Sequence, residues 1–187
     1  MPLSDVFTPK PRVLFVGINP SLRSEAVGHH FAGPGNPFWR LLYAARLVPV
    51  ELTHTEDRRL VEFGFALTNL CPRATRAATE LSRAEIERGK RRLTARIRRL
   101  RPAVVAFVGV TIYREFFGKA GRASAAPSSE TASTGAGAKP ELICGAKVFV
   151  LPNPSGLNAS FPGFKHKLVW FERLREFIDS KAPPSSW

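Results

Sequence analysis

Cysteine is scarce in this chain of 187 residues, which carries only Cys71 and Cys144. The two residues are far apart and belong to no Cys-x-x-Cys motif, so thiolates cannot build a zinc site or an iron–sulfur cluster. We expect both to be buried, reduced thiols. The sequence leaves a disulfide between them open, although a reducing compartment would not favour it.

The chain also lacks an apolar run long enough to cross a bilayer, and residues 1–11 lack the basic and apolar regions of a secretory signal. We therefore expect a cytoplasmic, nucleoid-associated protein if the source is bacterial, or a nuclear one if it is eukaryotic. We expect no membrane partner. With 44% hydrophobic and 23% charged residues, the composition excludes wholesale disorder.

Acidic residues are few relative to basic ones. Fifteen Asp and Glu residues stand against 28 Lys and Arg, which gives a formal net charge of +13. The resulting positive field attracts polyanions such as nucleic acid. The length predicts a single domain over residues 1–187, most simply a monomer, with a flexible insertion at about 119–140 and a frayed tail at about 182–187.

Strand and helix patterns alternate along the chain. Apolar runs predict buried strands at Val13–Val16, Phe65–Leu70, Ala103–Val108 and Lys147–Leu151. Helix-start signals occur at Asn36-Pro37, Thr55, Ser82, Thr111 and after Pro162. The alternation predicts an α/β fold, a single-domain three-layer sandwich in which a short, mostly parallel central sheet carries helices on both faces.

The helix that begins after Ser82 has the clearest pattern, because Ser82 and Glu85 form a capping box and the helix stops before Pro102. Its remaining surface is strongly basic. This surface either contacts DNA phosphates or is simply solvated, and long-range steering of DNA requires no contact at all. The basic residues are Arg83, Arg88, Lys90, Arg91, Arg92, Arg96, Arg98, Arg99 and Arg101.

Two loops that contain asparagine directly follow predicted buried strands. The first is Gly17-Ile18-Asn19-Pro20-Ser21 and the second is Pro152-Asn153-Pro154-Ser155-Gly156-Leu157-Asn158. Because the carboxyl ends of parallel strands share one edge of a sheet, we expect both loops to face one crevice. Either loop taken alone is equally compatible with a simple turn after a strand.

These two loops and the segment 28–39 together resemble the mismatch-specific uracil-DNA glycosylases and the related thymine-DNA glycosylases. The resemblance spans most of the chain, because Leu67–Leu70, the basic helix and the strand at 104–109 also follow the family's order. It implies a uracil-DNA glycosylase-like fold. It also implies a monofunctional enzyme that flips uracil out of double-stranded DNA, hydrolyses its N-glycosidic bond and so initiates base excision repair, with no metal and no cofactor.

The resemblance assigns roles to residues around the base. Asn19 matches the position that orients the attacking water, and Phe31 matches the ring on which the flipped base stacks. Backbone N–H groups of Ile18 and Phe31 would stabilise the departing uracil anion, Asn69 would pair with N3–H and O4, and His30 would line the pocket. The alternatives are core packing for Phe31, a turn for Asn69 and a scaffold hydrogen bond for His30.

The loop after the last predicted strand resembles the segment that contacts DNA and enters the duplex. Its members are Asn153, Ser155, Gly156, Leu157 and Asn158, and Leu157 would fill the space the base leaves, unless it is merely a buried loop leucine. Asn158-Ala159-Ser160 stands where the bacterial branch has an arginine that addresses the opposite guanine. This departure argues against a strict dependence on a G·U mismatch. The resemblance still implies that G·U mismatches are favoured, with thymine or other damaged pyrimidines as further candidates.

A different class of function remains open. The same α/β scaffold could be a non-catalytic nucleic-acid-binding module, because the charge and the crevice would survive loss of chemistry. Asn19→Ala separates the two hypotheses, since only an enzyme would lose base release. A nucleotide-binding phosphotransferase is disfavoured, because the chain has neither a P-loop nor a dinucleotide-binding glycine fingerprint.

Overall fold

The computed structural model describes residues 3–118, 135–155 and 161–180. Its five strands are β1 Val13–Gly17, β2 Phe65–Asn69, β3 Val104–Val108, β4 Gly137–Ile143 and β5 Ala146–Leu151. The α-helices of these residues are α1 Leu22–Val27, α2 Phe38–Ala44, α3 Arg83–Leu100, α4 Val110–Phe117 and α5 Phe164–Asp179. Two 3-10 helical segments span His54–Phe63 and Ala78–Glu80.

The strands form one sheet in the order β2-β1-β3-β5-β4. Every neighbouring pair is parallel except β4 with β5, which is antiparallel. The carboxyl ends of β1, β2, β3 and β5 therefore lie along one edge, and β2 lies at one side of the sheet. The predicted α/β class with a mostly parallel sheet is confirmed.

Side chains alternate between two cores along the buried strands, because successive residues point to opposite faces. Val13 and Phe15 of β1 pack on the face covered by α2, α5 and the first 3-10 segment. Leu14 and Val16 pack on the other face, which is covered by α3 and α4. Both faces are covered, so the strands read as continuous apolar runs rather than alternating ones.

The capping box that opens α3 forms as predicted. Ser82 Oγ accepts a hydrogen bond from Glu85 N at 3.3 Å, and Ser82 N donates to Glu85 Oε2 at 2.8 Å. The helix ends at Leu100, and the C-cap residue Arg101 adopts a left-handed conformation immediately before Pro102. This geometry explains why the start and the end of α3 could be read from the sequence.

The predicted insertion at 119–140 is wrong at its far end, because Gly137–Pro140 are the first residues of β4. Residues 119–134 and the predicted tail at 182–187 lie outside the described residues. The strand was missed because Lys139, Pro140 and Glu141 interrupt its apolar residues. Proline cannot donate to a ladder, but it is tolerated in β4, which lies at the edge of the sheet.

Three predicted helix starts are shifted and one helix was missed. Helix α2 begins after Pro37, although Asn36 Oδ1 still accepts from Phe38 N at 3.0 Å. The predicted helix at Thr55 is a 3-10 segment capped by Thr53, and α4 is preceded by Gly109 rather than by Thr111. The missed helix α1 has only six residues, too few for a clear periodic pattern.

Burial corrects one further expectation. Cys144 was predicted to be buried but is exposed, whereas Lys167 of α5 is only 7% exposed. Cys71 is buried, and both cysteines are free thiols. Within the described ranges, no helix combines the length and the hydrophobicity needed to span a membrane.

Candidate active site

A cavity of about 210 Å³ opens at the carboxyl edge of the parallel strands. This volume is below the roughly 300–1,000 Å³ of pockets for drug-sized ligands, and so suits a single small ring. The cavity brings the two asparagine loops together, as the strand order requires. Its lining includes Gly17, Ile18, Asn19, Ser21, His30, Phe31, Asn69, Asn153 and Ser155.

The side-chain amide of Asn19 is held in one orientation. Its Nδ2 donates to the carbonyl oxygen of Arg73 at 2.8 Å and to Thr75 Oγ1 at 2.7 Å. A carbonyl only accepts hydrogen bonds, so the nitrogen must face Arg73 and both of its hydrogens are used. The Asn19 Oδ1 atom accepts from no described residue, and it is left as the acceptor that this side chain offers to a water molecule.

Thr75 is a support for Asn19 that the sequence did not reveal. It is 4% exposed, and its Oγ1 donates to the carbonyl oxygen of Ala77 at 2.8 Å. Because the single hydroxyl hydrogen is used in that bond, Thr75 can only accept from Asn19. Its backbone N donates to Pro20 O at 3.2 Å, which joins the loop after β2 to the loop after β1.

Arg73 holds the same loop from the other side. Its guanidinium donates to Glu85 at 2.6 Å and to Glu80 O at 2.8 Å. Hydrogen bonds from Arg73 and Ser82 lower the pKa of Glu85 to about 2, so this carboxylate stays ionised at neutral pH. Glu80 Oε1 accepts from Ala77 N at 2.8 Å and lies outside the cavity lining, so Glu80 supports the loop.

Thr75→Val tests this support, because valine keeps the shape of threonine but cannot accept a hydrogen bond. Loss of the hydrogen bond to Asn19, worth about 1 kcal/mol, frees the Asn19 amide to rotate, and we expect single-turnover base release to fall about fivefold. Thr75→Ser retains the hydroxyl and should stay near the wild-type rate. Equal rates for the valine and serine variants, in rapid-quench assays, would contradict the positioning role.

Phe31 lies between the core and the cavity. Its ring stacks on Phe38 with 3.9 Å between centroids and an interplanar angle of 21°. Phe38 is fully buried, whereas Phe31 is partly buried and lines the cavity. Phe31 therefore packs on the core, which was the alternative role considered for it from the sequence. It also lines the cavity with an aromatic residue.

The loop that carries Phe31 is held in a costly backbone conformation, since Phe31 has φ of +52°. Helix α1 holds one side of it, where Ser24 Oγ accepts from Ala32 N and Arg23 donates to Ala32 O. Asp57 holds the other side and is 2% exposed. Its two carboxylate oxygens accept from His30 N at 2.9 Å and pair with His29 Nδ1 at 3.1 Å.

His30 is a buried, neutral imidazole. Burial lowers its pKa below the ordinary value, and Nε2 lies 3.0 Å from the carbonyl oxygen of Ser4. Because that carbonyl only accepts, Nε2 carries the hydrogen and Nδ1 remains an acceptor. His30 therefore makes the scaffold hydrogen bond that the sequence left as an alternative, and it also lines the cavity.

Asn69 and Gly17 meet where β1 and β2 end side by side. A Cβ atom at Gly17 would lie 2.5 Å from Asn69 Oδ1 and 3.9 Å from the Phe31 ring. Glycine is therefore needed here for close approach, rather than for its backbone freedom. The Asn69 side chain contacts the cavity and makes no hydrogen bond to a described residue, so its amide is available to a ligand.

Two residues at this cavity also carry backbone N–H groups without a described partner. The N–H groups of Ile18 and Phe31 donate to no acceptor among the described residues, whereas Ile18 O accepts from Cys71 N at 2.8 Å. Both residues line the cavity. Unpaired backbone N–H groups are the kind of donor that stabilises a developing negative charge.

The loop after β5 is fixed at its start. Asn153 Oδ1 accepts from the backbone and the hydroxyl of Ser155, both at 3.0 Å, and the buried Lys167 donates to Pro154 O at 3.0 Å. This contact explains why a lysine of α5 is buried. Gly156, Leu157 and Asn158 lie outside the described residues, so their predicted wedge role stays a prediction.

Ser21 forms the N-cap of α1, where its Oγ accepts from Ser24 N at 3.1 Å. On the basic helix, three basic residues make hydrogen bonds or ion pairs with other described residues. Lys90 pairs with Glu87, Arg92 donates to Leu70 O, and Arg96 pairs with Asp5. The others are exposed, namely Arg83, Arg88, Arg91, Arg98, Arg99 and Arg101.

The described residues contain no cluster of three or more His, Cys, Asp or Glu side chains that could hold a metal ion.

The fold and the cavity define an α/β protein in which residues with amides, backbone donors and an aromatic ring line one small cavity. A profile of the uracil DNA glycosylase superfamily matches residues 4–175. The chain belongs to this superfamily, and its general activity is that of a DNA glycosylase.

A solved structure agrees in fold. The solution NMR structure of a uracil DNA glycosylase candidate from Methanosarcina acetivorans superposes with a TM-score of 0.56 at 18% sequence identity. The alignment covers 93% of this chain and 97% of that one.

Proposed function

We propose that this chain is a monofunctional glycosylase of the mismatch-specific and thymine-DNA glycosylase branch, which excises uracil from double-stranded DNA and favours uracil opposite guanine. The orientation of Asn19 carries the proposal. Both hydrogens of its amide nitrogen are used by the protein, so its oxygen is the atom left for a water molecule at the cavity. An asparagine whose only role was to bind DNA would not need an amide held in one fixed orientation.

The cavity suits a flipped pyrimidine. Phe31 offers a ring for stacking, which is worth about 1–3 kcal/mol per base. Asn69 can accept from N3–H and donate to O4 of uracil, whereas cytosine presents the opposite pattern at these positions. We therefore expect uracil to be preferred over cytosine. Whether thymine is released should depend on whether the cavity has room for its methyl group.

The reaction proceeds by attack of water on C1′ as the C1′–N1 bond breaks. An amide is a weak base, so Asn19 aims the water through Oδ1 and the departure of uracil drives the step. Uracil leaves as an anion that the N–H groups of Ile18 and Phe31 stabilise. The water hydroxyl stays on the sugar and its proton is lost to solvent, which gives an abasic site.

The strand should remain intact. Cleavage through a Schiff base needs an amine at the sugar, and no lysine occurs among the described residues that line the cavity. Lys167, the one buried lysine of the described residues, donates its hydrogen bond to Pro154 O on the neighbouring loop. We therefore propose a product that is cut only after alkali treatment.

Single-turnover assays on matched duplexes with G·U, A·U, G·T or G·C, and on single-stranded U, test the proposal. We expect G·U to react fastest, other uracil contexts to react more slowly, and G·C not to react. Equal DNA affinity without release from any uracil substrate would favour the binding-module alternative. Release of cytosine at a rate like that of uracil would contradict the role of Asn69.

A further inference from the structure

The segment Leu3–Phe7, here termed the amino-terminal strap, runs along the outer side of β2. Val6 N donates to Leu67 O at 3.0 Å and Leu67 N donates to Val6 O at 2.8 Å. Because β2 is the last strand on its side of the sheet, the strap covers part of an exposed edge.

An ion pair anchors the strap to α3. Asp5 Oδ2 lies 2.5 Å from Arg96, and Asp5 Oδ1 accepts from Thr68 Oγ1 at 2.7 Å. Arg96 also donates to Thr68 Oγ1 at 2.9 Å, so the three side chains form a closed network. The side chains of Asp5 and Arg96 are 17% and 23% exposed, so water screens this pair less than a surface pair. Phe7 adds a contact with the Arg96 guanidinium, 5.7 Å from its ring centroid.

The other end of the strap reaches the active site. Leu3 is part of the cavity lining, and Ser4 O accepts from His30 Nε2. That hydrogen bond decides which nitrogen of the neutral imidazole carries hydrogen. The strap therefore contributes one apolar residue to the cavity lining and fixes which nitrogen of a second lining residue, His30, carries hydrogen.

We propose that the strap is a specificity-determining wall of the base pocket, and that the Asp5–Arg96 ion pair holds this wall in place. The proposal rests on the proposed function, because it concerns which bases enter that pocket. Asp5 does not line the cavity. It is a positioning residue that acts through Leu3 and His30.

Loss of the Asp5–Arg96 ion pair should weaken discrimination against the larger base, thymine, more than it slows the release of uracil. A single methyl group is worth about 10–200-fold in discrimination by a well-fitted pocket. With Asp5→Asn, we expect the ratio of single-turnover rates for G·U over G·T to fall about tenfold, with the uracil rate within about threefold of wild type. Leu3→Ala removes the wall and leaves the anchor, and it should lower the same ratio.

Asp179→Asn is the matched control. It removes the same charge from another carboxylate–arginine pair, Arg12 with Asp179, whose side chains are 53% and 60% exposed. This variant should leave the ratio unchanged. An unchanged ratio in both Asp5→Asn and Leu3→Ala would overturn the proposal, as would an equal fall in the Asp179→Asn control.

A second readout does not depend on activity. Two-bond ¹H–¹⁵N spectra of the four histidine rings report which nitrogen of His30 carries hydrogen. We expect the Nε2–H form in the wild type and a mixture in Asp5→Asn. If the Asp5→Asn variant keeps the pure Nε2–H form of His30, the proposal that the ion pair holds the strap in place is contradicted. A wild type that shows the Nε2–H form but releases no uracil contradicts the proposed function instead.

Discussion

Asn19→Ala should reduce single-turnover release of uracil from G·U duplexes by at least about a hundredfold. Positioned groups that assist proton transfer or aim a nucleophile typically contribute about 10²–10⁴-fold. The alanine variant removes Oδ1, the side-chain atom of Asn19 that accepts no hydrogen bond from a described residue, and so the water is no longer positioned. DNA affinity should be retained, because the side chain makes its other contacts within the protein.

The isosteric variant sharpens this test. Asn19→Asp places an oxygen where Nδ2 now donates to Arg73 O, and two acceptors that face each other repel. The aspartate side chain should rotate away, so we expect its rate to stay well below that of the wild type although a carboxylate is the stronger base. A rate for Asn19→Ala within about threefold of wild type, at equal DNA saturation, would remove Asn19 from the mechanism.

Gly17→Ala should lower uracil release about tenfold to a hundredfold while the fold is kept. The added Cβ would lie 2.5 Å from Asn69 Oδ1, which is the end of a movable side chain, so the asparagine moves and the strand stays. Two net hydrogen bonds of about 0.5–1.5 kcal/mol each are then lost to the base. The loss appears as a slower single-turnover rate at saturating enzyme.

A double-mutant cycle shows whether Gly17 acts through Asn69. If displacement of Asn69 is the whole effect, Gly17→Ala adds almost nothing to Asn69→Ala, because the interaction is already absent. Additive losses would mean that the methyl group blocks the base directly or disturbs Phe31. Thermal melting of each variant separates these outcomes from loss of the fold.

The parts of the fold that the sequence predicted are those with strong local signals. Strands β1 and β3 are unbroken apolar runs, β5 contains the apolar run 148–151, and α3 carries its own capping box. Strand β4 and helix α1 lack such signals, the first because polar residues and Pro140 interrupt it. The 3-10 segment that begins at His54 was read as a helix, because a capping residue looks the same in both.

The site was predictable only in part, because the residues that hold Asn19 and Phe31 in place are distant from them in the sequence. Asn19 and Phe31 lie in motifs that resemble a known family, but Thr75 is 56 residues from Asn19 and no pattern links them. Asp57 looked like an ordinary acidic residue in a first helical turn, yet it holds the loop that carries Phe31. Such contacts arise from tertiary packing, which local sequence does not encode.

The most direct test of the account is chromatography of the products that the wild type forms from a G·U duplex in a single turnover. We predict free uracil and an equal amount of alkali-labile strand that is uncut before alkali. If the protein binds the duplex but no free uracil is formed, the proposed glycosylase activity is contradicted. A strand that is cut without alkali would contradict attack by a water aimed by Asn19.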